Sequence, residues 1–279
     1  MTIPGWAVLK QAAMDFWADN ALSHGAAIAF YTMFSLAPVL FIVIAIAGLA
    51  FGRQAAQGAI VGQLSGLMGH QTAAALQTMI KSAYRERTGD LATGVGLVFL
   101  TVSATSVFAE MQSALNAIWK AEPTESAVTE LVRVRLISLG LVVGLGFVLL
   151  ASLAVNAALD AIGYRIERLS PGLPFLLRAI NVVASFVLLA VLFAAIYKVL
   201  PDKRVAWRDA ATGGVVAALL FAVGRYLIGF YIGSTAVSSS YGAAGALAVV
   251  LLWIYCVAQI FLFGAEFAKA FAKRRRRGR

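Results

Sequence analysis

At 279 residues, 61% of them hydrophobic and only 13% charged, the chain has too little polar surface for a water-soluble domain and enough apolar length for several membrane spans. Its formal charge of +10 is concentrated in a C-terminal run and in the connections between apolar stretches, which points to membrane topology and anionic lipid headgroups and away from nucleic acid. One cysteine, Cys256, and two histidines, His24 and His70, leave no disulfide framework and no Cys/His metal site.

The first twenty residues place Trp6, Leu9, Ala13, Phe16 and Trp17 at near-helical spacing, with Lys10, Gln11, Asp15 and Asp19 elsewhere around the turn. This pattern predicts an amphipathic helix lying in the inner interface. The same charges interrupt any signal peptide, so the first apolar run, about 26–51, is expected to remain as a span. Pro38 sits near its middle, where a lost backbone donor predicts a kink that Thr32 and Ser35 help to satisfy.

Between Arg53 and Asp90, two apolar stripes flank Gly69-His70-Gln71 and predict two amphipathic helices in the first outer loop. The second span is expected at about 91–109, its helix continuing past Glu110 and Trp119 to Glu122-Pro123. Further spans follow at about 136–158, 179–199, 210–232 and 242–265, and residues 266–279 form a basic tail. The closing run covers roughly 36 Å as a helix, slightly more than a bilayer's hydrocarbon core.

Orientation follows from the cations. Lys273, Arg274, Arg275, Arg276 and Arg277 hold the C-terminus in the cytoplasm and meet lipid headgroups there, because moving them across the bilayer is costly. Counting back, both termini are cytoplasmic. The inner segments then hold Lys10, Lys120, Arg133, Arg135, Lys198, Lys203, Arg204 and Arg208 with the tail, and the outer loops are poorer in Lys and Arg. The expected architecture is all-α: a single integral membrane domain with six transmembrane helices.

Arg225 is the one charge clearly interior to a span, about 24 Å beyond Asp209 and so in the outer half. An intramembrane arginine either snorkels or faces a cavity and holds an anionic group; Asp90, Asp160 and the hydroxyls of Tyr226, Tyr231 and Tyr241 are nearest in expected depth. At the inner side, Glu110 and Glu266 stand at span ends within expected reach of Lys198, Arg208 or Lys269. No phosphate-binding loop, H-E-x-x-H, D-x-D or G-x-S-x-G pattern occurs, so neither an enzyme nor a cofactor is expected.

The run from Ala26 to Pro38, AAIAFYTMFSLAP, resembles the first-span signature of the YihY/BrkB family of bacterial inner-membrane proteins. So do Leu115-Asn116-Ala117-Ile118-Trp119, Pro201-Asp202 with Trp207-Arg208, Tyr241-Gly242-Ala243-Ala244-Gly245, Trp253-Ile254-Tyr255 and Gly264-Ala265-Glu266. The resemblance implies six helices in the bacterial inner membrane. Its members have carried both a ribonuclease label and a virulence label, and the absent nuclease chemistry argues against the first. Carried over by motif, the positions of interest are Tyr31, Ser35, Pro38, Asn116, Tyr241, Gly242, Trp253 and Glu266.

The reading that follows is a permease for an anionic or amphipathic envelope compound, lipid included, with its pathway formed by Tyr31, Ser35, Pro38, Arg225, Tyr241, Trp253 and Glu266. The alternative is a non-transporting membrane scaffold for envelope assembly. The expected partners are membrane lipids and such a substrate, with no nucleic acid. A hydrated polar path at mid-membrane separates the two readings.

Overall fold

The computed structural model describes residues 5–52, 106–121, 173–234 and 242–277, together with 58, 62, 65, 74 and 77; for 37–51, 173–178, 180–181, 232–234, 242–244 and 246 it describes the backbone. Among the described residues every regular element is helical. They form α1 (Gly5–Ala18), α2 (Ala21–Phe51), α3 (106–119), α4 (Leu173–Val199), α5 (Trp207–Ser234) and α6 (Gly242–Arg277). The expected spans at 91–109 and 136–158 lie wholly or largely outside the described residues, as do His70, Asp90, Asp160 and Tyr241. Between α2 and α3, the five described residues from 58 to 77 are all helical.

The apolar content of each helix explains its place. α4, α5 and α6 are each long and apolar enough to cross a membrane. α2 runs for 31 residues straight through Pro38, and its described half, Ala21–Leu36, is apolar as well. α5 packs between α4 and α6, α6 also packs on α2, and α1 lies across α6 with an edge on α2. The shared core draws Ala114, Leu115, Ile118 and Trp119 from α3, and Tyr197 and Phe193 from α4, against Phe261 and Leu262 of α6. Val182, Val183, Val187 and Val191 of α4 and Leu219, Val223, Leu227 and Phe230 of α5 remain exposed, an apolar surface suited to hydrocarbon.

Close approach of α4, α5 and α6 depends on glycine. A Cβ on Gly213 would sit 2.6 Å from the Gly264 carbonyl oxygen, and one on Gly214 would sit 2.5 Å from the Ala190 carbonyl oxygen. α5 therefore touches both neighbours backbone to backbone at one level, the use small residues serve between membrane helices.

α6 does not stop at Glu266, where the apolar run ends. It continues as helix through Arg277, so the basic tail extends the helix axis with its cations at the C-terminal end, where the helix dipole favours positive charge. α1 spans Gly5–Ala18, as its periodicity predicts, and ends on Asn20 with φ 52°. Asparagine tolerates that left-handed conformation, and α2 begins at the next residue.

Candidate functional site

The charged residues of separate helices meet at the end of the bundle where α6 carries its basic run. Asp19, just past α1, accepts hydrogen bonds from Lys120 at the end of α3 and, at 2.6 Å, from Lys269 of α6. Lys269 also lies 3.5 Å from Asp15 and 2.7 Å from Glu266. Glu266 is fully buried, and despite that short ion pair neither of its carboxylate oxygens accepts a well-directed hydrogen bond. One lysine thus faces three carboxylates, with Lys120 sharing the load at Asp19.

Lys120 has φ 50°, a left-handed position where glycine is usual. The backbone closes α3 there with the paired bonds of a Schellman motif: Lys120 N–H donates to the Ala117 carbonyl and Ala121 N–H to the Asn116 carbonyl. A lysine at this strained position is accounted for by its ion pair with Asp19, which glycine would lack. Lys203 then caps the same end, its Nζ donating to the Trp119 carbonyl at 2.8 Å.

Burial works against the Asp19 charge, yet hydrogen bonds from Lys120 and Lys269, with the Lys269 charge, hold its carboxyl below the ordinary value of 3.8. A carboxylate with a depressed folded value stabilises the fold fully above its unfolded value and loses that contribution as pH falls through the lower folded one. The α1 junction is therefore expected to stay intact at pH 5 and to weaken only below about 3.8. Thermal unfolding in detergent tests this: the difference in Tm between the native chain and Asp19→Asn should be constant from pH 7 to 5 and shrink in stronger acid.

A second polar junction joins α3 to the connection between α4 and α5. Asn116 Nδ2 donates to Asp202 Oδ2 at 2.6 Å, the Asp202 N–H donates back to Asn116 Oδ1 at 2.9 Å, and Gln112 Nε2 reaches Asp202 Oδ1 at 3.0 Å. Two motifs lying 86 residues apart are thus a single reciprocal contact. Asn116→Ala removes two bonds, one of them to a charged group, and is expected to cost about 1.5–3 kcal/mol, read as a lowered Tm with helix content unchanged.

The remaining sequence-derived positions are dispersed. Arg225 stacks over the ring of its neighbour Tyr226 at 4.6 Å and donates to the Tyr226 hydroxyl at 2.8 Å, while its Nε is buried without a partner. Tyr31 is part-exposed on α2 beside Phe30, and Ser35 is buried with its hydroxyl donating to the Thr32 carbonyl. Trp253 is buried edge-on to Phe221 at 6.2 Å, and its Nε1 has no partner. Of the two glutamates expected at span ends, Glu266 meets Lys269, one of the three cations named for it, whereas Glu110 meets His24 of α2 at 3.2 Å. Pro38 lies within α2, where the backbone alone is described.

Sequence reasoning missed a cavity of about 510 Å³ at the basic end, walled by α1, the ends of α3 and α6, and the α4–α5 connection. Seven Lys or Arg side chains and three Asp line it. Asp15 and Asp19 are engaged by Lys269 and Lys120, and Asp209 by Arg275, 3.1 Å from its Oδ2. Among the described residues, Arg204, Lys273, Arg276 and Arg277 face no carboxylate within ion-pair distance. The signal available in sequence was the charge run itself, which says nothing of what it encloses. Among the described residues no group of three or more His, Cys, Asp or Glu is arranged to hold a metal ion.

The family model described as virulence factor BrkB matches residues 12–279. The chain belongs to the BrkB virulence factor family. Similar curated proteins are a UPF0761 membrane protein of Rhodospirillum centenum, 28% identical over 93% of this chain and 56% of that protein, and one of Ralstonia nicotianae, 30% identical over 94% and 59%. A third, of Pseudomonas aeruginosa, is 29% identical over 91% of this chain and 60% of that protein. The chain spans a little over half the length of these relatives. No solved structure matches it. With three long apolar helices among its described residues, this BrkB family member is a membrane protein.

Proposed function

We propose that this BrkB family protein is an inner-membrane permease for an anionic or amphipathic envelope compound, lipid included, built from six transmembrane helices with both termini in the cytoplasm. The observation that carries this reading is a series of buried polar atoms with no hydrogen-bond partner among the described residues, at successive levels of the bundle. Arg225 Nε and Trp253 Nε1 lie in the α5–α6 region, followed along α6 by Gln259 Oε1 and the Glu266 carboxylate, which has only its ion pair with Lys269. Six or seven residues separate consecutive members on α6, about 9–10 Å of helix rise. In hydrocarbon each such atom is costly, and water or a passing solute removes that cost. The gathering of Lys120, Lys203, Arg204 and the Arg-rich end of α6 at one cavity supports placing that end inside, where retained cations accumulate. At this end the free cations favour an anion.

The test uses the single cysteine. In a Cys256→Ser background, Arg225→Cys and Phe221→Cys are exposed to a membrane-impermeant thiol reagent from each side in turn. Phe221, one turn deeper, is buried against Trp253. Labelling at both positions is expected of a water-filled path. Labelling at 225 alone, from outside only, means that Arg225 merely reaches the outer headgroups, and the scaffold reading replaces the permease.

A further inference from the structure

The cavity at the basic end carries two buried polar groups that nothing among the described residues satisfies. Trp119 is 8% exposed, lines the cavity, and has an Nε1–H with no acceptor. Asp209 is 2% exposed, also lines it, and has an Oδ1 with no donor, its other oxygen being taken by Arg275. One wall therefore lacks an acceptor and another lacks a donor among the described residues, and Arg204, Lys273, Arg276 and Arg277 stand exposed around the cavity with no carboxylate within ion-pair distance. Water can satisfy Trp119 and Asp209, but the excess of cations around them favours an anion.

We propose that this cavity binds a phosphate ester whose alcohol portion carries a free hydroxyl, the chemistry of a glycerol phosphodiester. Phosphate oxygens accept from Trp119 Nε1–H and from the free guanidinium and ammonium groups, the charge-assisted contacts for which arginine is suited. The hydroxyl donates to Asp209 Oδ1. An ammonium donor in its place would enter a region already dominated by cations, so the neutral hydroxyl is the better fit. The cavity volume of about 510 Å³ admits such a headgroup, and its position at the end of the spans suits either a lipid, with its chains in the bilayer, or a soluble ester. This inference takes from the permease reading that the compound is anionic and names its class.

Native mass spectrometry of the full chain, released from detergent with added lipid, tests it. Dioleoylphosphatidylglycerol is compared with dioleoylphosphatidylpropanol, which has the same charge and lacks the hydroxyls, and with zwitterionic dioleoylphosphatidylcholine. Phosphatidylglycerol is expected to bind about tenfold above phosphatidylpropanol and further above phosphatidylcholine. Asp209→Leu, which removes the acceptor and frees Arg275 for phosphate, should erase the preference for phosphatidylglycerol over phosphatidylpropanol. Trp119→Phe should weaken both alike, and Arg204→Ser with Arg276→Ser, at exposed positions that should not disturb folding, should weaken both by roughly fivefold per charge. Equal binding of the two phosphodiesters by the native chain, or a preference for phosphatidylglycerol retained in Asp209→Leu, overturns the assignment. Addition of millimolar sn-glycerol 3-phosphate separates the sources: displacement of lipid adducts identifies a soluble ester, and persistence identifies a lipid. The readout is independent of transport, so a negative labelling result at Phe221→Cys would remove the permease and leave this binding result standing.

Discussion

Replacing Gly213 by alanine will destabilise the protein by about 3 kcal/mol or more, and leucine at the same position will prevent the folded protein from accumulating. A single added methyl group meets the Gly264 carbonyl oxygen at 2.6 Å and the Ala268 Cβ at 2.7 Å. The first obstacle is backbone of a neighbouring helix, which cannot turn aside as the end of a flexible side chain can. Relief requires α5 to move off α6, and Gly214, one residue on, is pressed equally closely against α4 at the Ala190 carbonyl and the Ala194 amide. Any retreat from one helix is therefore a collision with the other. Gly229 in the same helix supplies the control, because nothing lies within 4 Å of where its Cβ would stand. Gly229→Ala should be neutral or stabilising by up to about 1 kcal/mol through helix propensity alone. Fluorescence of a C-terminal fusion reports accumulation, and thermal unfolding in detergent reports stability. Equal tolerance at 213 and 229 would mean that α4, α5 and α6 do not approach as described.

Helix positions were largely legible because they depend on local pattern. The expected interfacial helix, the first span and the fourth to sixth spans correspond to α1, α2, α4, α5 and α6, with differences at their ends. The fifth span was placed at 210–232, yet α5 starts at Trp207 because Asp209 in its first turn favours the helix N-terminus. The sixth was ended at 265, yet the helix continues for twelve residues, since Lys and Arg are good helix formers and suit its C-terminal end. Pairings were less legible, because they depend on the register between helices, which no periodicity encodes. Lys269 is one of three cations within expected reach of Glu266 and is the one that meets it, but Asp19, 250 residues distant, carries no local sign of joining them. Likewise Asn116 and Asp202 were singled out as motifs, and only the fold makes them one contact. Trp119 and Asp209 show the same limit at the cavity. Each reads locally as the end of a helix, and what makes them candidates for binding is the absence of a partner in three dimensions.

Lys269→Met will cost about 3–5 kcal/mol, while the triple variant that adds Asp19→Asn and Glu266→Gln will recover most of that loss. Lys269 is a half-buried cation between Asp15, Asp19 and Glu266, and the Glu266 side chain has no exposure at all. Methionine keeps much of the lysine stem's packing but leaves carboxylates in a poorly hydrated site without their main counter-charge. Asp19 retains Lys120, which limits its share of the loss. The asymmetry arises because removing one member of a buried pair exposes the full desolvation cost of the other, whereas neutralising both sides removes the charge and its cost together. Glu266→Gln alone should then be milder than Lys269→Met, since it leaves a cation that still has Asp15 and Asp19 as partners. Tm measured in detergent for the single and combined variants gives the ordering directly. If Lys269→Met falls within 1 kcal/mol of the native chain, a threshold set by the weakness of exposed ion pairs, Glu266 is reached by water in the native protein. A hydrated carboxylate at that level of α6 would extend the polar path inward from Arg225 and Trp253 to the cavity, and would strengthen the permease reading at the expense of a sealed structural cluster.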